Sequence, residues 1–367
     1  MILSTHSTSP KKFTRWLAAA LMLGLLAACG APPTPATPTP PLADELTFYN
    51  WEGDMPQPVL DAFTAEYGIK INYLVYESQE EAIENMKAGE VYDVIVMESR
   101  FVPMLVQENL LAELDKRSLG NEKNLSANFR ELAYDPGNRY SIPYNWGTTG
   151  LVVRSDLVAE PVTGWADLWD PRYYGYTGIW MGQHREVISL TLKSLGYSAN
   201  SEVPAELEAA LARLIEIKPY ILTLEDFSLV NSADILANGQ ALITMGYASD
   251  YLYGHEQNPA ITYILPAEGA LLWNDTFVIP SNSSNKAAAE LFLNFILRAE
   301  VSASIANENL YATPNEAAYP LIDPEVLNNP VIYPPNEALV KAELVLPLTP
   351  QGQQLYDEIW ERFTNAP

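Results

Sequence analysis

The sequence predicts an α/β protein folded into two lobes, and three observations lead to that prediction. Short apolar runs of strand-like composition alternate with segments whose apolar residues recur at helical spacing, which is the pattern of α/β folds. The chain after residue 44 has about the length of two ordinary domains. Two segments that begin with polar residues, 144–150 and 274–280, each run into an apolar strand. Such strands can carry the chain between lobes and serve as a hinge.

The first part of the chain shows this alternation clearly. The predicted elements are strands at 46–50, 69–75 and 93–97 and helices at 57–67 and 80–88. In the first helix, Val59, Leu60 and Phe63 share one face, and Gly68 ends the helix. The strand at 93–97 is apolar throughout, which predicts burial on both faces within a parallel sheet.

The rest of the chain continues the alternation. The predicted elements are strands at 149–154, 241–245 and 261–265 and helices at 185–195 and 286–297. In the helix at 185–195, Ile188, Leu192 and Leu195 form the apolar face, and Gly196 stops the helix. The sequence has no heptad pattern, no internal repeat and no cluster with metal-ligand spacing.

The N-terminus has the pattern of an export signal. Residues 1–15 contain Lys11, Lys12 and Arg15 but no acid, and an apolar run follows at 16–28, in the order typical of a secretory signal. The sequence Leu-Ala-Ala-Cys at 26–29 resembles the lipobox of bacterial lipoproteins, whose cysteine is acylated. A transmembrane anchor would need about 20 apolar residues, and a plain secretory signal needs no cysteine here.

We therefore expect residues 1–28 to be removed as a lipoprotein signal peptide and Cys29 to carry the lipid. Residues 29–44 would form the lipid anchor and a Pro/Thr-rich tether, extended because such a run forms neither helix nor sheet. The protein is expected in the cell envelope, in the periplasm or on the outer face of the plasma membrane. The lipid would be its only attachment to the membrane.

Composition narrows the classes of partner. Loss of residues 1–28 leaves 18 Lys and Arg against 46 Asp and Glu, a net charge of −28. Nucleic acid and anionic membranes are then unfavourable partners, and a cationic small ligand is favoured. An acidic surface that only confers solubility is the alternative. Because Cys29 is the only cysteine, the mature body has no free thiol for disulfides, redox reactions or soft metals. No metal or other cofactor is predicted.

Motifs spread along most of the chain carry a family resemblance. They are Phe48-Tyr49-Asn50-Trp51, Tyr140-Ser141-Ile142-Pro143-Tyr144, Trp146-Gly147, Trp165-Ala166-Asp167-Leu168-Trp169, Arg185-Glu186-Val187, Trp273 with Asp275, Phe292-Leu293-Asn294-Phe295 and Tyr311-Ala312-Thr313-Pro314-Asn315. Their order resembles that of the type II periplasmic solute-binding proteins of the spermidine/putrescine branch, from residue 46 to a C-terminal helix at 354–363. The resemblance implies two lobes, each a mostly parallel sheet flanked by helices, with two crossover strands as the hinge. It implies 45–148 plus 275–325 as lobe 1 and 149–274 plus 326–367 as lobe 2.

The resemblance also implies a function. The protein would be the lipid-anchored substrate-binding receptor of an ABC transporter, a monomer and not an enzyme. It would capture a polyamine such as spermidine or putrescine between its lobes and deliver it to the permease subunits. A ligand-loaded sensor that docks on a signalling partner would need the same cleft, so that alternative stays open.

By the same resemblance, the polyamine cleft is lined by Trp51, Glu186, Trp273, Asp275 and Tyr311. Asp275 would pair one ammonium group and Glu186 another, and the aromatic rings would cover the methylene groups. An ammonium over an indole gains about 0.5–2 kcal/mol, and each buried methylene gains about 0.8 kcal/mol. Each residue also has a structural interpretation: a carboxylate suits the first turn of a helix, an aspartate before a strand suits a turn, and aromatic residues fill cores.

Several positions depart from the family pattern. Asp54 replaces an aromatic residue, Glu98-Ser99-Arg100 replaces a small hydroxyl residue and a tyrosine, Gln183 replaces an aspartate, and Gly246, with Tyr247 beside it, replaces a tryptophan. In the account we favour, Glu98 substitutes for the missing aspartate and Arg100 turns to solvent, so the ligand is still a polyamine. In the alternative, Arg100 enters the cleft and pairs the carboxylate of a zwitterionic or guanidino ligand.

Other classes of function have less support. The mature chain has only His184 and His255, without motif partners, and no nucleophile elbow, zincin motif or phosphate loop. Glu186 and Asp275 could in principle form the carboxylate pair of a glycoside hydrolase. A ferric site with tyrosine ligands is a closer rival, but acids flanked by indoles suit an ammonium better than a hard metal ion.

Overall fold

The chain is seen in a computed structural model that describes residues 42–224 and 229–367. The predicted signal peptide at 1–28, the lipid-bearing Cys29 and the tether up to residue 41 lie outside the described residues. Among the helices of the described part, none is both long and apolar enough to cross a membrane.

Ten strands of the described part form one mixed sheet. They are β1 Glu45–Asn50, β2 Lys70–Val75, β3 Val94–Glu98, β4 Ser141–Arg154, β5 Thr177–Trp180, β6 Ile221–Leu224, β7 Ile243–Tyr247, β8 Ile261–Ile264, β9 Leu271–Val278 and β10 Glu343–Leu344. The order is β2-β1-β3-β9-β4-β7-β5-β6, with β10 on β9 and β8 on β4. Strands β1, β2 and β3 are parallel, as are β5, β6 and β7, and the antiparallel pairs all involve β4 or β9.

Helices flank this sheet. They are α1 Gln57–Tyr67, α2 Gln79–Ala88, α3 Val102–Gln107, α4 His184–Ser194, α5 Pro204–Ile217, α6 Leu229–Ala237, α7 Ala248–Gln257, α8 Lys286–Ile296, α9 Ala299–Asn309, α10 Pro324–Leu327 and α11 Pro350–Asn365. Short 3₁₀ helices lie between them, at Ser99–Phe101, Glu122–Asn124, Ala127–Phe129, Trp165–Trp169, Pro171–Tyr173, Lys218–Tyr220, Glu316–Leu321 and Asn336–Leu339.

Two large groups of buried apolar side chains lie along the sheet. One is built mainly from β1, β3, α1 and α8, and the other from β5, α4, α5 and α11. Strand β4 contributes Ile142 to the first group and Leu151 to the second. Strand β9 contributes Phe277 to the first and Leu271 to the second. The two long strands therefore run from one core to the other.

Most elements predicted from the sequence are confirmed with small shifts of their ends, but the strand predicted at 149–154 begins already at 141. Helix α1 has the predicted bounds and buries Val59, Leu60 and Phe63, and the chain turns at Gly68 with a φ of 71°. The apolar strand β3 is buried from Val94 to Met97. The prediction was incomplete at the crossovers, because 144–150 and 274–278 do not precede strands but lie inside β4 and β9. Asp275 is therefore a strand residue and not part of a turn.

Candidate functional site

Four carboxylates act on one another near the crossover strands, those of Asp54, Glu98, Glu186 and Asp275. Burial raises the pKa of Asp275 well above its ordinary value, and the charges of the other three carboxylates raise it further, while the nearby Arg100 lowers it. Neighbouring carboxylates disfavour one another's ionisation, because their negative charges repel. The group is therefore arranged to receive positive charge.

Strand pairing explains how distant parts of the sequence meet here. Strand β3 ends at Glu98 and runs antiparallel to β9, so that Glu98 lies opposite Asp275. On the other side of β9, Asn145 of β4 lies opposite Asp275. Trp273 is two residues from Asp275 along β9 and therefore shares its face of the sheet. Strand pairing thus fixes the positions of Glu98, Asp275 and Trp273 relative to one another.

Asp275 is buried without a partner. The residue is 7% exposed, yet its carboxylate makes no hydrogen bond or ion pair with any of residues 42–224 or 229–367. A buried ionised carboxylate that lacks a partner is unfavourable by several kcal/mol, at order of magnitude. The free energy of this arrangement therefore improves when a cation binds beside Asp275.

Glu186 is buried but has hydroxyl partners. It lies in the first turn of α4, where the helix dipole favours a carboxylate. The Thr149 hydroxyl lies 3.2 and 3.1 Å from its two carboxylate oxygens, and the Tyr247 hydroxyl donates to Oε2 at 3.2 Å. Burial, followed by the charge of Glu98, still raises the pKa of Glu186 to about 7. The group is therefore close to half-ionised at neutral pH when no cation is bound.

Asp54 is held by amides. Asn50 donates its Nδ2 to Asp54 Oδ2 at 2.9 Å, and Asn145 donates its Nδ2 to Oδ1 at 3.3 Å. The Tyr144 hydroxyl donates to the Asp54 backbone carbonyl at 2.8 Å. Burial raises the pKa of Asp54 to about 6 against the lowering effect of these bonds. Asp54 thus joins the end of β1 to β4 and adds negative potential to the site.

Arg100 lies in the site and does not turn to solvent, so that part of the favoured sequence account was wrong. Its Nε donates to Glu98 Oε2, and the side chains of Arg100 and Glu98 are only 13% and 22% exposed. The guanidinium also stacks 4.1 Å from the ring centroid of Phe101. Ser99, between the paired residues, is buried. The physical reason for the inward direction is the charge-assisted hydrogen bond to Glu98, which lies at the end of the buried strand β3.

Three aromatic side chains form a wall beside the acids. The rings of Trp273 and Tyr311 are 5.2 Å apart and nearly perpendicular, and Tyr247 and Trp273 are 5.8 Å apart at 78°. The Tyr311 hydroxyl is 2.8 Å from Ser249 Oγ. Gly147, opposite Trp273 on β4, leaves room for the indole, since a Cβ there would be 2.4 Å from its ring. The wall is therefore shaped by the pairing of β4 and β9.

The remaining predicted residues lie at the edge of this group. Trp51 follows β1 and packs on Tyr76 at 4.6 Å. Tyr76 is joined by a hydrogen bond to Gln79, whose Oε1 accepts the backbone N–H of Glu98 at 3.2 Å. Gln183 precedes α4 and is half-buried, and its side chain has no hydrogen-bond partner within the described residues. Within the described residues, neither the Trp51 nor the Gln183 side chain makes a hydrogen bond to any of the four carboxylates.

The polar residues that hold the predicted site residues were not predicted from the sequence. Asn50 and Asn145 hold Asp54, Thr149 holds Glu186, and Ser249 holds Tyr311. A signal was present for the asparagines, since each stands directly before a tryptophan of the family motifs. Nothing in the local sequence marks Ser249. In the described ranges, no group of three or more His, Cys, Asp or Glu side chains is arranged to hold a metal ion.

Comparison with known proteins identifies the family of this chain. The model of the bacterial extracellular solute-binding proteins matches residues 59–333. The chain is 36% identical over 341 residues to the spermidine/putrescine-binding periplasmic protein of Escherichia coli, covering 91% of this chain and 93% of that protein. It is 30% identical to the putrescine-binding periplasmic protein SpuD of Pseudomonas aeruginosa, covering 88% of this chain and 92% of that protein.

A solved structure agrees with these relatives. The spermidine/putrescine ABC transporter substrate-binding protein PotD of Streptococcus pneumoniae is similar with a TM-score of 0.77 at 29% identity, covering 88% of this chain and 99% of that one. The likeness therefore extends over nearly the whole of both proteins. Such relatives are solute-binding receptors and not enzymes. This chain belongs to the bacterial extracellular solute-binding protein family and shares the fold of its spermidine/putrescine-binding relatives.

Proposed function

We propose that the protein is the lipid-anchored substrate-binding receptor of an ABC transporter, and that it captures a polyamine and delivers it to the permease. The observation that carries the proposal is the buried, unpartnered carboxylate of Asp275, next to three further acids. An ammonium group is the ligand that would relieve this arrangement. The spermidine/putrescine-binding and putrescine-binding relatives support the same ligand class.

The aromatic wall suits the rest of such a ligand. A polyamine joins its ammonium groups by methylene chains, which gain about 0.8 kcal/mol per buried methylene. Trp273 and Tyr311 offer perpendicular ring faces beside Asp275, where an ammonium gains about 0.5–2 kcal/mol more. Glu186 supplies a second anchor, because its two oxygens can accept more hydrogen bonds than the hydroxyls of Thr149 and Tyr247 fill.

We also propose that the chain forms two lobes, which close on the ligand. Lobe 1 would hold 45–148 and 275–325, and lobe 2 would hold 149–274 and 326–367. The two large apolar cores support this division, because their members fall on opposite sides of these bounds. A smaller apolar cluster packs Val326 and Ile332 with Ala303 and Ile322 of lobe 1. This packing favours a return from lobe 1 to lobe 2 after residue 332, and not after residue 325.

The lipid anchor is proposed from the sequence. Leu-Ala-Ala-Cys at 26–29 ends a signal-like segment, and periplasmic relatives support a place outside the cytoplasm. Cys29→Ser should abolish incorporation of labelled fatty acid and move the protein from the membrane to the soluble fraction. Unchanged membrane association of the variant would contradict the lipid anchor.

A zwitterionic ligand is the second candidate, and one observation favours it. The terminal N–H groups of Arg100 make no hydrogen bond to other described residues, since only Nε is used by Glu98. They could therefore receive a ligand carboxylate in two-pronged geometry. A sensor that signals its loaded state would use the same site with either ligand.

Calorimetric titration of the whole protein, purified in detergent, separates these candidates. The panel is putrescine, spermidine, arginine and glycine betaine. Saturable binding of a polyamine at micromolar or lower Kd is the expected result. Binding of arginine or betaine alone would favour the zwitterion, and the absence of binding by putrescine and spermidine would overturn the polyamine proposal.

A further inference from the structure

We infer that the Arg100 guanidinium occupies a position in the site where an ammonium group of a longer polyamine would otherwise bind, so that the receptor selects diamines over longer polyamines. This inference rests on the proposed polyamine function. It concerns a residue at which the chain departs from the pattern it resembles, and it assigns that residue a role in ligand selection.

The partners of each carboxylate lead to this inference. Asp54 is bound by two asparagine amides, and Glu98 by Arg100. Glu186 has only hydroxyl partners, and Asp275 has none in the described part of the chain. Of the four acids, one is therefore already paired with a positive charge and one is enclosed by amides. Two remain for the ammonium groups of a ligand.

The position of Arg100 makes it part of the site. Glu98 lies directly opposite Asp275 in the pairing of β3 with β9, so the ion pair stands next to the free carboxylate. The charge of Arg100 acts on the pKa of both Asp275 and Glu186. An ammonium group brought to Glu98 would meet a guanidinium that stays charged at any working pH. The third charge of spermidine would therefore be repelled where the two charges of putrescine are matched.

A second ion pair in the chain has the same sequence spacing as Arg100 and Glu98 and can be compared with it. Arg117 pairs with Asp115, also two residues away, with Nε to Oδ1 at 2.9 Å. The Arg117 side chain is 91% exposed, against 13% for Arg100. Local sequence spacing alone thus accounts for the Arg117 pair, whereas Arg100 is buried, stacks on Phe101 and is also acted on by the charges of Glu80 and Glu186.

The test compares putrescine and spermidine affinities by calorimetry, with the whole protein in detergent. Wild type should bind putrescine more tightly than spermidine. Arg100→Gln leaves Glu98 open, so the affinity for spermidine relative to putrescine should rise by about tenfold or more, equivalent to about 1.4 kcal/mol. In the double variant Arg100→Gln with Glu98→Gln, this gain should disappear because the vacated carboxylate is gone. Arg117→Gln is the matched control and should change neither affinity.

The outcomes separate the two proposals. If wild type binds spermidine as tightly as putrescine, or if Arg100→Gln binds with an unchanged ratio of the two affinities, the role of Arg100 is overturned while the polyamine function stands. If wild type binds neither amine, the polyamine function itself fails. The wild-type preference needs no variant, so it tests the inference even if Arg100→Gln does not fold.

Discussion

At the scale of single residues, the site separates buried acids that are satisfied from those that are not. Asp135 is as deeply buried as Asp275, but it accepts backbone N–H groups from Arg139, Tyr140 and Ser141 and the hydroxyl of Ser141. The carboxylate of Asp275 accepts no hydrogen bond from the residues that the structure describes. A buried acid with many donors stabilises the fold, whereas one with none costs stability until a cation binds. From this contrast we propose that Asp275 is a binding residue and Asp135 a structural one.

The raised pKa values predict a pH dependence. In the folded protein the pKa of Glu186 is about 7 instead of 4.5, and that of Asp54 is about 6 instead of 3.8. Between these ordinary and raised values the folded chain binds protons that the unfolded chain has released, so the contribution of these groups to stability falls as pH rises through about 4 to 7. A bound ammonium favours the ionised forms, so amine affinity should rise with pH across the same window.

Titrations with putrescine at pH 5, 6, 7 and 8 check this expectation. Affinity should increase by about tenfold per pH unit below pH 7 if one proton is released, with proton release visible as a dependence of the heat on the buffer. Glu186→Gln should flatten the slope near pH 7. An affinity independent of pH in wild type would contradict the assignment of Glu186 to the site.

At the scale of elements, the pairing of β4 with β9 sets the aromatic wall. Gly147→Ala should displace the Trp273 indole, because the new Cβ would be 2.4 Å from its ring. Overpacking of this kind costs about 1–3 kcal/mol, and putrescine affinity should fall by about tenfold or more. Gly120→Ala is the control, since a Cβ there meets nothing within 4 Å. Thermal unfolding and titration of both variants check the prediction; equal affinities would show that the indole does not line the site.

Elements were predictable from the sequence to the extent that the information is local. Helix α1 was predicted to its ends because its apolar face and Gly68 lie within a dozen residues. The pairing of Glu98 with Asp275 was not predictable from pattern, since it depends on the register of two strands that are far apart in the chain. The direction of Arg100 was predicted wrongly for a related reason, because its ion-pair partner Glu98 lies where β3 pairs with the distant strand β9. The family resemblance, and not the residue pattern, placed Trp273 and Asp275 in the same predicted cleft as Glu186.

At the scale of the whole molecule, two cores joined by β4 and β9 suggest movement on binding. Each long strand is anchored in both cores, so bending near its middle can bring the cores together without breaking either. Small-angle scattering should therefore give a smaller radius of gyration for wild type with putrescine than without it. Asp275→Asn at the same putrescine concentration should show no such decrease. A radius of gyration that does not change in wild type would contradict closure on the ligand.

The central claim is that Asp275 pairs an ammonium group of the ligand, and it is tested most directly by the putrescine affinity of Asp275→Asn. Loss of one partner of a buried charge pair costs about 2–5 kcal/mol, so the account predicts that Kd rises by about thirtyfold or more. The melting temperature of the ligand-free variant should stay the same or rise, because a buried carboxyl group without a partner has been removed. Asp135→Asn should do the opposite, lowering the melting temperature and leaving affinity unchanged. Putrescine affinity of Asp275→Asn equal to that of wild type would contradict the account.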